Sequence, residues 1–272
     1  MKSEIKRIYK EFKKIIMLPE MQVLPGQLAF YIIMSFVPIL AICAIIVSHF
    51  IESFNLTNLI YTYLPDNLAS IIIPFCTSSY GNSAIFFFFA YFFMAINGPK
   101  SIIITSNNLY KIKENSVLRI TLKSLFMTFV LITLLVFMIF IPILGNVILN
   151  YLTKYINIQN YLGIIKFIKV IVTFTFIYLA IKLLYTMAPS KEIKSEETTL
   201  GAIFTTVSWV IATEIFSFYI TNIAKYNVLY GNFANILILL LWIYLIAYLF
   251  VVGMAININK YNLGKEKKLW KR

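Results

Sequence analysis

Residues Leu200 to Asn257 read LGAIFTTVSWVIATEIFSFYITNIAKYNVLYGNFANILILLLWIYLIAYLFVVGMAIN. Two apolar runs flank a short polar turn at Tyr230-Gly231-Asn232. Each run exceeds the roughly 18 residues needed to cross about 30 Å of hydrocarbon. Backbone in lipid must satisfy its own hydrogen bonds, and these runs lack the alternation of a barrel strand, so both are membrane helices. Glu214, near the centre of the first run, is the only acidic side chain well inside an apolar segment.

The rest of the chain has the same character. Of its 272 residues, 60% are hydrophobic and 13% charged, against about 25% charged in a soluble domain. Mean hydropathy is +0.83. The net charge of +13 would suggest a nucleic-acid partner in a soluble protein, but here its distribution is an orientation signal. The N-terminal segment, the 100–123 stretch, Lys182 with the 188–199 loop, and the C-terminal tail hold 20 of the 24 Lys and Arg. Lys154, Lys166, Lys169 and Lys225 make up the other side. This asymmetry predicts an all-α, polytopic membrane protein with six transmembrane helices and both termini cytoplasmic. The spans fall at about 27–50, 84–104, 124–149, 162–187, 200–224 and 233–257, in a single membrane domain over 1–257. A basic cytoplasmic tail follows at 258–272.

Residues 1–20 place Ile5, Ile8, Tyr9, Phe12, Ile15 and Ile16 at helical spacing among charges, as an amphipathic helix on the membrane surface does. Pro25-Gly26 is expected to turn the chain into the first span. Pro38 near that span's middle predicts a kink, with Ser35 one turn earlier. Residues 51–83 carry no Lys or Arg, and their two apolar stripes predict short outer interfacial helices. Asn97-Gly98-Pro99-Lys100 is expected to break or bend the end of span two, and 105–123 reads as a basic loop. Cys43 lies in an apolar run and Cys76 in a loop, with no small, loop-rich scaffold that needs a disulfide.

Several polar residues lie within the spans. An ionised carboxylate at bilayer depth costs roughly 2.5–3.5 kcal/mol and faces a cavity or a partner. Ser217 and Thr221 share a helix face with Glu214. The stripe reads either as part of a substrate or ion pathway or as hydrogen-bonded glue between helices. Ser35 and Pro38 are the other candidates for that pathway, since broken helices line cavities in many transporters; plain kinks are as common. Gly201, Thr205, Ser208 and Ala212 form a small-residue stripe suited to close helix packing. Lys182 can snorkel to the interface, and Lys166 and Lys169 lie one turn apart at an outer end; all three are candidate headgroup contacts. Trp209 and Trp242 read as packing residues.

Enzyme chemistry is not expected. There is a single histidine, His49, and no HExxH, GxSxG or phosphate-binding Gly-Lys-Ser/Thr loop, so neither a metal site nor a cofactor is predicted.

Leu24-Pro25-Gly26-Gln27-Leu28-Ala29-Phe30-Tyr31 and Ser35-Phe36-Val37-Pro38 resemble the opening of the YihY/BrkB family of bacterial inner-membrane proteins. Asn108-Leu109-Tyr110-Lys111 fits that family's second cytoplasmic segment. Leu184-Tyr185, Pro189, Gly201-Ala202, Phe216, Tyr219, Tyr230-Gly231, Leu240-Leu241-Trp242-Ile243-Tyr244, Gly253, Ala255 and Asn257 extend the resemblance over nearly the whole chain. Met254-Ala255-Ile256-Asn257 departs from it where relatives carry an acid after Gly-Ala. The resemblance implies a multi-pass protein of the bacterial cytoplasmic membrane, linked in relatives to serum resistance and to transport of solutes or envelope lipids. The family also carries an old ribonuclease BN label. A zinc nuclease of that kind needs several histidines, and this chain has one.

These features favour a transporter of a small solute or envelope lipid, with a cavity bordered by spans one and five. The rival is a non-transporting membrane scaffold or envelope-assembly partner. Membrane lipids, anionic headgroups at the cytoplasmic face and a second copy of the chain (a homo-oligomer) are the partners that fit; nucleic acid is not.

Overall fold

The computed structural model describes residues 13, 15–54, 84–114, 116–153, 162–222 and 234–269. Among these residues the chain is all-helical, with no strand. The helices are α1 (Glu20–Phe54), α2 (Ala84–Ala95), α3 (Asn97–Leu109), α4 (Val117–Thr153), α5 (Leu162–Met187), α6 (Thr199–Asn222) and α7 (Ala234–Leu269). Most of the expected amphipathic helix, the outer interfacial segments and the Tyr230-Gly231-Asn232 turn lie outside the described residues.

Among the described residues, five helices are long and apolar enough to cross a membrane: the leading parts of α1 and α4, the later part of α5, most of α6, and α7 from Ile236 to Ile258. The sixth expected span, 84–104, is instead two short helices. Pro99 has no N–H for the carbonyl of Ala95, and its ring crowds that carbonyl. The chain leaves helical geometry at Ile96 and resumes at Asn97. The 12 residues of α2 rise only about 18 Å, well short of the hydrocarbon thickness.

Other boundaries also move. Helix α1 starts at Glu20, whose charge suits a helix N-terminus, and runs through Pro25-Gly26. Pro25 lies in the second turn, where its missing N–H deprives only the carbonyl of Met21. Helix α7 continues to Leu269, beyond the expected start of the tail, because its lysines are good helix formers and suit a C-terminal end.

The chain divides into two compact units where the sequence predicts one domain. Unit 1 comprises Met1–Ile33, Gly98–Lys123 and Ile177–Arg272; unit 2 comprises Met34–Asn97 and Ser124–Phe176. The core of unit 2 is Ile39, Ile42, Cys43, Ala95 and Ile132, packed by Tyr91, Phe92 and Leu135. Cys43 is a free, buried thiol.

Unit 1 is held chiefly by the α6–α7 pair. Lipid tails are as apolar as leucine, so close packing and interhelical hydrogen bonds, more than exclusion of water, hold such a pair. Gly201 and Gly253 supply the close approach. A Cβ on Gly201 would collide with the carbonyl oxygen of Gly253 and with the Asn257 amide, whose Nδ2 lies 2.5 Å away. A Cβ on Gly253 would collide with Thr205 Oγ1 and the Tyr185 hydroxyl. The Gly201 N–H donates to Asn257 Oδ1 at 2.7 Å, and Trp209 Nε1 donates to the Ile246 carbonyl at 3.0 Å. Trp209 also stacks on Phe250, with ring centroids 6.1 Å apart. The faces of α5 to α7 in this unit expose Leu179, Ile211, Phe218 and Ile236, side chains suited to lipid.

Candidate functional site

Helix α3 is the unusual element of unit 1. It is short, polar in sequence and almost completely buried: Gly98, Pro99, Ser101, Ile102, Ile103, Thr105, Ser106, Asn107 and Leu109 are all inaccessible. From sequence, 105–123 reads as a basic loop. Its first five residues instead complete this helix.

The C-terminal end of α3 is fixed by local backbone geometry. The Lys111 N–H donates to the Asn108 carbonyl at 3.1 Å and the Ile112 N–H to the Asn107 carbonyl at 2.9 Å. This is a Schellman cap, and Lys111 holds the left-handed position at φ 53° that glycine usually fills. After a short loop, Ser116 caps α4: its Oγ accepts from the Arg119 N–H at 3.3 Å. Glu114 accepts from the Ser116 N–H at 3.2 Å and from Arg119 Nη1 at 3.1 Å. The Ser116 N–H, then Arg119, hold the Glu114 carboxyl below its usual range.

Asn107 joins this end to the loop after α5 in both directions. Its Nδ2 donates to Ser190 Oγ at 2.8 Å, and its Oδ1 accepts from the Ser190 N–H at 2.8 Å. Lys123 Nζ donates to the Pro189 carbonyl. Nearby, the fully buried Tyr185 hydroxyl donates to the Phe250 carbonyl at 2.7 Å and pairs with Thr205 Oγ1 at 2.6 Å. One phenol thus ties α5 to both helices of the α6–α7 pair. The Thr186 and Thr198 hydroxyls pair at 2.9 Å, linking the end of α5 to the start of α6.

Within this well-bonded unit, three hydroxyls of α3 stand apart. Ser101, Thr105 and Ser106 are 1%, 0% and 1% exposed, and none of their hydroxyl oxygens has a hydrogen-bond partner among the described residues. Elsewhere helix hydroxyls bond the carbonyl one turn back, as Thr121, Thr128, Thr133, Thr186 and Thr206 do. The Asn257 Nδ2 group is likewise buried and unpartnered. A buried polar group without a partner costs about 1–3 kcal/mol. With Glu20 Oε2 there are five among the described residues of unit 1, and each calls for an explanation.

The sequence-predicted site residues divide between the two units. Glu214 and Ser217 are exposed on α6, amid the outward-facing Ile211, Ile215 and Phe218 of unit 1. Thr221 is on the same helix, its side chain outside the description. Ser35 and Pro38 are buried in α1, within unit 2. Lys182 is half-buried, with its Nζ 5.8 Å from the centroid of the Tyr178 ring. Lys166 and Lys169 lie early in α5, their side chains outside the description. Of the small-residue stripe, Gly201 and Thr205 are buried at the α6–α7 crossing, while Ser208 and Ala212 are half-exposed. Among the described residues no cluster of three or more His, Cys, Asp or Glu could hold a metal ion. The sequence reading missed α3. The available signal was Ser101 and Thr105 one turn apart, directly after the Gly98-Pro99 break.

A profile of the virulence factor BrkB family matches residues 19–272. The chain belongs to this family. The YihY/BrkB resemblance read from Leu24 to Asn257 is thereby shown. Among BrkB relatives, the ribonuclease-like protein YfkH of Bacillus subtilis is 27% identical over 90% of each chain. A UPF0761 membrane protein of Alcanivorax borkumensis is 32% identical over 41% of this chain and 27% of its own length. UPF0761 membrane protein IL2447 of Idiomarina loihiensis is 28% identical over 39% of this chain and 36% of its own. This chain therefore spans about a quarter to a third of those two relatives. No solved structure matches the chain. Membership and the apolar helices together make this a multi-pass membrane protein.

Proposed function

We propose that this BrkB-family protein transports a small solute or an envelope lipid across the cytoplasmic membrane. The observation that carries this reading is α3, a short buried helix behind a proline break whose Ser101, Thr105 and Ser106 hydroxyls lack protein partners. Discontinuous helices that present polar groups inside the protein are a common means of binding cargo in transporters. Both termini are assigned to the cytoplasm from the Lys and Arg distribution. On that assignment the exposed Lys111, Lys113, Lys191 and Lys194 face anionic headgroups. Cysteines introduced at Lys111 and Lys265 are then expected to react only from the cytoplasmic side; labelling from outside would overturn the orientation.

Reconstitution into proteoliposomes tests transport itself. Dithionite quenching of fluorescent phospholipids reads lipid movement, and light scattering after an osmotic step reads solute movement. The wild-type chain is expected to raise one of these rates above that of empty liposomes, and Ser101→Ala with Thr105→Val to lower it at least tenfold. Rates equal to those of empty liposomes for both cargo classes would refute the reading. Glu214→Gln tests the separate role of that carboxylate: unchanged flux would remove it from the pathway.

The scaffold reading draws on the α6 face that exposes Ile211, Glu214, Ile215 and Phe218. It would gain ground if E214Q left flux intact and abolished co-purification of a membrane partner.

A further inference from the structure

We propose that the first turns of α3 bind an oxyanion: a phosphate or carboxylate, either free or as part of a phospholipid headgroup. This rests on the transport reading only in making that anion the cargo, and binding can be measured separately. A helix N-terminus carries a positive partial charge, so it favours anions even where, as at Pro99, one N–H is missing. In α3, a helix of 13 residues, that end carries no acid. It carries a lysine.

Lys100 lies in the first turn, where a cation opposes the helix dipole. It is half-buried and has no carboxylate or hydrogen-bond partner among the described residues. One and five positions on, Ser101 and Thr105 share a helix face, buried and unpartnered. Side chains on a helix tilt toward its N-terminus, so both hydroxyls lean toward the end that carries the lysine. A helix N-terminus, an ammonium group and two dry hydroxyl donors make a set that is complete once an oxyanion is present.

A bound cation would need acidic or carbonyl oxygens. Residues 97–109 contain no acid. The one carboxylate oxygen of unit 1 that is buried and unpartnered among the described residues is Glu20 Oε2, on α1. The test therefore includes Glu20.

The experiment uses the full chain, purified in detergent and in nanodiscs. Thermal unfolding is followed against inorganic phosphate and acetate, with chloride at equal ionic strength as reference. The lipid arm compares nanodiscs containing phosphatidic acid with phosphatidylcholine alone. The expected result is saturable stabilisation of the wild type by phosphate, by acetate or by phosphatidic acid; which of them acts identifies the source of the anion. Lys100→Gln is expected to weaken apparent binding at least tenfold. Ser101→Ala with Thr105→Val is expected to abolish it while melting no lower than wild type without anion, since the two lost hydroxyls hold nothing in the fold.

A wild type indifferent to all three anions would overturn the proposal, and water alone would then fill the site. An anion response that survives the double substitution would also overturn it. So would a response that follows sodium rather than the anion and disappears in Glu20→Gln. Transport without anion binding refutes this proposal and leaves the transport reading standing; anion binding without transport does the reverse.

Discussion

Gly201→Ala is expected to separate α6 from α7 and unfold the protein at a markedly lower temperature. The added methyl would sit 2.5 Å from Asn257 Nδ2 and 2.6 Å from Cγ, and closer still to the Gly253 carbonyl oxygen. Ordinary carbon contacts need roughly 3.5 Å, and one obstacle is backbone, so the helices must part by about 1 Å. Overpacking of this kind costs about 1–3 kcal/mol. The movement also strains the buried bond from the Gly201 N–H to Asn257 Oδ1, at 2.7 Å, and a buried hydrogen bond left unmade costs a further ~1–3 kcal/mol. The sum is about 2–6 kcal/mol. In a chain of this size each kcal/mol shifts Tm by about 2–4 °C, so the melt is expected to fall by roughly 4–24 °C. Trp209, stacked on Phe250 at the crossing, provides the assay: in a Trp242→Phe, Trp270→Phe background its fluorescence reports the parting of α6 from α7 on heating. Gly26→Ala is the control, because a Cβ there meets nothing within 4 Å. Within a helix alanine is favoured over glycine by up to about 1 kcal/mol, so Gly26→Ala is expected to melt at or above wild type. A Gly201→Ala melt within 2 °C of wild type would refute the reasoning about the crossing.

Tyr185→Phe removes the phenol that joins the Phe250 carbonyl and Thr205, and is expected to lower stability by about 1–3 kcal/mol in the same fluorescence assay; an unchanged melt would show that the hub adds nothing. Lys111→Gly places glycine at the left-handed cap position and is expected to stabilise by about 1 kcal/mol, read as a rise of a few degrees. Glu114 has a folded-state pKa below its ordinary 4.5, so its contribution is present above that value and is lost as pH falls through the lower folded value. Amide exchange at Ser116 and Arg119, corrected for the intrinsic pH dependence, should quicken in that acid window and lose the dependence in Glu114→Gln.

What could be read from the sequence was what depends on composition along the chain. The long apolar runs required helices because backbone in lipid must bond to itself, and the bounds of α5 and α6 followed almost to the residue. Gly98-Pro99 marked a break because proline's effect on a helix is local. Burial of the segment beyond the break was not local. Ser101 reads as the bent end of a span and Thr105, Ser106 and Asn107 as a polar loop until α3 is packed inside unit 1. For the same reason the sequence leaves Glu214 open between a pathway and glue between helices. A lone acid in an apolar run records an energetic cost without saying which way its helix faces.

The sequence by itself therefore determined helix content, membrane residence and family, all of which follow from hydropathy, length and local motifs. Tertiary structure alone decided which polar groups are buried and which find partners. It placed Glu214 on an outward surface, paired Asn107 with Ser190, and brought Gly201 against Gly253. It also left the α3 hydroxyls without protein partners. Hydrogen bonding between residues tens of positions apart depends on how the helices pack, and a single sequence carries no local signal of that packing.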